Sequence, residues 1–167
     1  MKNTTLLFLT VSLGLSFSYA AGDSSVSFNA ATVSGATNMS AKPVVTSQSA
    51  LPAGKLKVKD LVVGNGPAAN PSATVTVQYV GVRYADGKQF DSSWDRGGPT
   101  SFSLKKVVKG FTEGIGGNED GVSPMKIGGR RIIIVPSDMG YGETGSSTGV
   151  IPPNASLVFV VDLIAVK

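Results

Sequence analysis

Hydrophobic and polar positions along the chain fall into three textures. The first follows Lys2, with Leu6-Leu7-Phe8-Leu9 and Leu13-Gly14-Leu15 leading into Ser16-Phe17-Ser18-Tyr19-Ala20-Ala21. A positive tip, an apolar run of roughly 7–15 residues and a small-x-small end predict a secretory signal peptide over residues 1–20, cleaved after Ala20. Ser12, Ser16 and Ser18 interrupt the run, which falls short of the ~20 apolar residues of a membrane anchor. The mature chain is therefore expected to be periplasmic or secreted, with no stable membrane insertion after signal cleavage. The second texture, residues 21–50, is Ser, Thr, Ala, Gly and Asn with only Asp23 and Lys42 charged. It sustains neither a period of 2 nor one of 3.6, which predicts a flexible tether. Val26, Phe28 and Val33 are scattered in it and leave room for one short added strand.

From Leu51 to Lys167 the pattern becomes alternation broken by turns. Leu56, Val58 and Leu61-Val62-Val63 predict a strand ended by Gly64-Asn65-Gly66-Pro67. Val75, Val77 and Tyr79 then alternate with Thr74, Thr76 and Gln78, the period of a half-buried strand. Asp86-Gly87 is a hairpin signal that returns the chain through Lys88-Gln89-Phe90, and Ser101–Leu104 is a further short strand. Val107, Val108 and Phe111 fall at i, i+1 and i+4, which fits a short helix ending near Gly114. Arg130 to Val135 carries the run Ile132-Ile133-Ile134-Val135. The last strand, from Leu157 to Ile164, is apolar on both faces except for Asp162, and is predicted to be central. Several strands with one helix to cover a sheet face give an α+β domain built on an antiparallel sheet.

Composition then removes whole classes of chemistry. The 167 residues contain no cysteine and no histidine. Cysteine nucleophiles, disulfide frameworks, Cys/His zinc sites and Ser-His-Asp triads are thereby excluded. Gly114 and Gly116 begin a phosphate-loop pattern, but Glu119 stands where its third glycine belongs. Glu119-Asp120 lacks the alternating ligands of a calcium loop. Lys105-Lys106, Lys109 and Arg130-Arg131 are basic without interleaved aromatics, which predicts solvated faces and no nucleic-acid partner. A net charge of +4 demands none.

Two stretches are unusually specific. Tyr79-Val80-Gly81 is followed by Asp86-Gly87-Lys88-Gln89-Phe90-Asp91-Ser92-Ser93, and Pro136-Ser137-Asp138-Met139-Gly140-Tyr141-Gly142 by Gly149-Val150-Ile151-Pro152-Pro153-Asn154-Ala155. With the helix and Met125–Gly129 between them, residues 51–167 resemble the FKBP family of peptidyl-prolyl cis–trans isomerases. The resemblance implies a five- to six-stranded antiparallel sheet curved around one short helix. It also implies an apolar pocket with Asp91, Tyr141 and Phe90 as catalytic groups. Tyr79, Arg96, Phe102, Val107, Val108, Phe111, Ile151 and Phe159 would bind substrate, Phe111 forming the floor where many relatives carry tryptophan. The Tyr141 hydroxyl and the Ile151 N–H would hold substrate carbonyls, while Arg96 would pair with Asp91. No metal or cofactor is implied. The expected partners are proline-containing client polypeptides, with macrolides as inhibitors. The alternative is a prolyl-peptide-binding chaperone module with little catalytic activity.

Overall fold

The computed structural model describes residues 24–50 and 52–167. The predicted signal peptide lies outside the described residues. The larger sheet has six strands: β4 (Lys57–Val62), β5 (Thr74–Arg83), β6 (Gln89–Ser92), β7 (Thr100–Ser103), β8 (Arg130–Val135) and β9 (Leu157–Val166). They run in the order β4-β8-β9-β5-β6, with β7 beside the first half of β5, and every pairing is antiparallel. Helix α1 (Lys109–Gly116) lies across one face. This is the α+β arrangement expected from the strand and helix periods. The Asp86-Gly87 turn closes β5 on β6, with Gly87 at φ +67° and the Arg83 N–H donating to the Lys88 carbonyl at 2.9 Å.

The period-2 pattern sorts side chains between two cores. Val75, Val77 and Tyr79 of β5, Ile133 and Val135 of β8, and Leu157, Phe159, Val161 and Leu163 of β9 face the helix. Val80, Val82, Ile132, Ile134, Val158 and Val160 point the opposite way and are as deeply buried. Something must therefore cover the second face, and the segment expected to be a tether does so.

Residues 24–50 are not a free tether. They fold into an antiparallel three-stranded sheet, β1 (Val26–Phe28), β2 (Ala31–Ser34) and β3 (Val44–Ser47), in that order. Ala31, Val33 and Ala36 are fully buried against the back of the large sheet. The strands are three or four residues long and rich in Ser and Thr, so no period rises above its neighbours. Burial of a few small side chains against a ready-made apolar face decides the conformation.

The arginines expected on a solvated face are also internal. Arg130 is fully buried and donates to both carboxylate oxygens of Asp162, at 2.5 and 2.6 Å. Its remaining donors reach the Gly35 carbonyl at 2.8 Å and the Ala41 carbonyl at 3.3 Å, both in the N-terminal segment. A buried ion is tolerated when its hydrogen bonds are satisfied, and the small sheet completes that satisfaction. Arg131 pairs with Asp60 and donates to the Gly114 and Ser123 carbonyls, at 2.9 and 2.6 Å. It thereby ties the end of α1 and the loop after it to β8.

Two glycines let α1 approach the sheet. A Cβ on Gly110 would lie 2.3 Å from Val135 Cγ1, and one on Gly114 would lie 2.6 Å from Ile133 Cγ2. Alanine at either position gains helix propensity but forces the helix outward. A net loss of about 1–3 kcal/mol is expected from this overpacking, read as a lower denaturant midpoint. A midpoint equal to the parent's would show that the contact yields freely.

Candidate functional site

Between α1 and the concave face of the large sheet opens a cavity of about 480 Å³. Its walls are apolar: Phe90, Phe102, Val107, Val108, Phe111 and Phe159, with Tyr79 and Tyr141. Phe111, buried on α1, is the floor on which the other rings converge. Its centroid lies 4.9 Å from Phe159, 5.9 Å from Tyr79 and 5.6 Å from Phe102, and Phe90 meets Phe159 edge-on at 5.5 Å. Such edge-to-face contacts fix ring orientation beyond what area burial alone provides. Gly81 lies beneath this wall, where a Cβ would stand 2.7 Å from Phe90 Cζ and 3.0 Å from Phe159 Cε1. Bare backbone lets both rings seat.

One carboxylate, Asp91, enters this apolar wall, and it is closed on its neighbours. The Tyr79 hydroxyl donates to Asp91 Oδ2 at 2.5 Å, an Arg96 guanidinium nitrogen pairs with Oδ1, and the Ser92 N–H donates to Oδ1 at 2.8 Å. Arg96 also donates to the Tyr79 oxygen at 2.8 Å, so the three side chains form a ring. Burial, reinforced by the hydrogen bond to Asp91, pushes the Tyr79 phenol up to about 12. Tyr79 therefore remains a donor at any working pH. Because its folded value lies above the unfolded one, its contribution to stability is complete below about pH 10. That contribution is lost as pH rises through about 12. Spectrophotometric titration is expected to show a tyrosine ionisation at about pH 12, and Tyr79→Phe is expected to remove it.

Phe90, Asp91, Phe102, Val107, Val108, Phe111, Tyr141 and Phe159, together with Tyr79, line one cavity. Arg96 stands behind Asp91 on the 3₁₀ turn Trp94–Arg96. Ile151 differs. Its side chain is buried in the helix-side core, and its N–H donates to Ser146 Oγ at 3.0 Å. That donor is committed to the loop. Val108, the residue before the first turn of α1, lines the cavity, and its amide has no acceptor among the described residues. Spacing alone does not reveal it, because backbone availability depends on where the next turn begins. Lys106 also lines the cavity. Sequence reasoning grouped it with its basic neighbours and assigned it to solvent.

Comparison with known proteins agrees with this geometry. The family model for FKBP-type peptidyl-prolyl cis-trans isomerase matches residues 66–164. An FK506-binding protein of Streptomyces anulatus is 43% identical over 125 residues, which are 75% of this chain and 97% of that protein. The FKBP-type peptidyl-prolyl cis-trans isomerase FkpA of Escherichia coli (strain K12) is 42% identical over 104 residues, 62% of this chain and 35% of its own length. Among solved structures, that of AtFKBP13 superposes with a TM-score of 0.63 at 35% identity, covering 73% of this chain and 98% of that one. The E. coli FkpA structure gives 0.59 at 37% identity, covering 73% and 51%. With its six-stranded sheet, helix α1 and aromatic cup all accounted for, the chain belongs to the FKBP-type peptidyl-prolyl cis-trans isomerases.

Proposed function

We propose that this isomerase is exported and speeds prolyl isomerisation in folding clients outside the cytoplasm, using the apolar cup to favour the twisted amide. The observation that carries the mechanism is an open cavity, walled by six aromatic rings, whose one carboxylate is already neutralised by its own partners. Amide resonance sets a barrier of ~18–20 kcal/mol, so X–Pro bonds turn over in tens to hundreds of seconds. The planar amide is the more dipolar form, because resonance moves charge from nitrogen to oxygen. Twisting breaks resonance and lessens that separation. A site that solvates dipoles worse than water therefore destabilises the flat form relative to the twisted one, which is differential binding of the transition state. Lowering the barrier by ~7 kcal/mol would accelerate the bond about 10⁵-fold.

Each group has a part in this. Phe111, Phe90, Phe159 and Val108 hold the prolyl ring, and Tyr79, Phe102 and Val107 close the sides. The Val108 N–H and the Tyr141 hydroxyl are donors without partners among the described residues, and they anchor the substrate's carbonyls. Asp91, oriented by Arg96 and Tyr79, faces the twisting peptide group. No bond is made or broken, so the reaction runs without a nucleophile or a proton relay. FK506-type macrolides, which present a ring and carbonyls of similar shape, are expected to compete for the cup. Export rests on the Lys2-led apolar run and the Ser18-Tyr19-Ala20 end of the predicted signal.

The test is protease-coupled isomerisation of a short X–Pro peptide, with and without FK506. Activity inhibited by the macrolide is expected. Tyr141→Phe, which removes one hydrogen bond of ~1 kcal/mol, is expected to lower kcat/KM about fivefold, and Asp91→Ala about tenfold. Parental activity in both variants refutes their roles. Peptide binding without turnover establishes the chaperone alternative.

A further inference from the structure

Charge in and around the cup is unevenly balanced. Asp91 is closed on Arg96 and Tyr79, and Lys109 pairs with Glu113 at 3.6 Å. Lys106 lines the cavity and Lys105 precedes it, yet among the described residues neither has a carboxylate within ion-pair distance. Their backbone is rigidly held. Leu104 is sunk in the core, its N–H donates to the Ala73 carbonyl at 2.9 Å, and its carbonyl accepts the Thr112 hydroxyl at 2.5 Å. The Lys105 N–H donates to Ser103 Oγ at 3.3 Å. With Leu104 pinned inside, the 3₁₀ turn Leu104–Lys106 exposes both lysines directly before the cavity residues Val107 and Val108. A peptide whose proline fills the cup must run past this turn. Asp138 and Glu143 flank Tyr141 in the chain and do not line the cavity.

We infer that Lys106, supported by Lys105, is a specificity-determining residue that favours prolyl segments carrying an acidic side chain next to the proline. The inference rests on the isomerase reading of the same cup. An uncompensated cation on the wall attracts a carboxylate beside the prolyl ring and repels an ammonium there. Two unit charges several ångströms apart at a solvated surface change rates about three- to tenfold at low salt. The effect weakens as the Debye length falls from ~10 Å at 0.1 M to ~3 Å at 1 M salt.

The experiment is exchange NMR on two peptide series, with Glu, Gln or Lys placed immediately before or immediately after proline. The quantity read is the ratio of kcat/KM for Glu over Lys, so that changes in overall activity cancel. In the parent a ratio of about five or more is expected in at least one series, collapsing toward one in 1 M sodium chloride. Lys106→Arg is expected to keep the preference, Lys106→Met to abolish it and Lys106→Glu to reverse it. A ratio near one in both series, or a preference that survives unchanged in Lys106→Glu, overturns the inference while Gln peptides still report an active isomerase. Failure to turn over even the Gln peptides overturns the isomerase reading itself and the inference with it.

Discussion

Val33→Asp is expected to lower the melting temperature by about 10 °C or more, although residue 33 lies far from the cup and outside the matched family region. Val33 is fully buried where β2 meets the back of the large sheet, among Val80, Val82, Ile132, Ile134, Val158 and Val160. An unpaired carboxylate there costs several kcal/mol, whether it stays charged or takes up a proton to avoid the charge. For a chain of this size each kcal/mol shifts the melting point by roughly 2–4 °C. Deleting residues 24–50 is expected to do more. It bares six large aliphatic side chains and strips Arg130 of its Gly35 and Ala41 acceptors. The shortened chain is expected to aggregate or to melt far below the parent. A Val33→Asp melting curve within 2 °C of the parent would show the small sheet to be a passenger.

Phe111→Ala is expected to cost about 3–4 kcal/mol of stability and to reduce kcat/KM at least a hundredfold. Removing a buried aromatic loses its transfer energy and leaves a void that rigid neighbours fill only in part. Here the neighbours are Tyr79, Phe102 and Phe159, each held by ring contacts to Phe111. Once the floor is gone, Phe159 and Tyr79 lose their orientation, and the cup admits water beside the amide it must desolvate. A loss of ~3 kcal/mol in transition-state binding corresponds to the stated rate change. Phe111→Trp restores an apolar floor and is expected to recover most of the activity. The two variants together separate shape from stability. An active, merely destabilised Phe111→Ala enzyme would mean that the ring contributes packing alone.

The cup was legible in the sequence to an unusual degree, because its residues belong to ordered blocks that survive without knowledge of distance. Phe90-Asp91, Val107-Val108 with Phe111, and Tyr141 were placed in one pocket by resemblance, and they line one cavity. What spacing could not show is which backbone donors are already used. Ile151 was expected to offer its N–H, but Ser146 Oγ takes it, while the Val108 amide remains without an acceptor among the described residues. The same blindness sent Arg130 to the surface. An Arg-Arg pair opening a strand reads as solvated until Asp162, 32 positions later, is brought opposite it.

The alternation of Val75, Val77 and Tyr79, the two-faced apolarity of the last strand and the absence of cysteine and histidine were properties of the chain alone. They determined an α+β sheet, a central final strand and a chemistry without thiol or imidazole. Two-faced apolarity even required a second cover, since one helix cannot shield both sides of a sheet. Which segment supplies that cover was decided by tertiary structure. Three strands too short to announce themselves gain their stability only from the face they bury, and hydrophobic burial is a property of pairs of surfaces, not of either sequence taken singly.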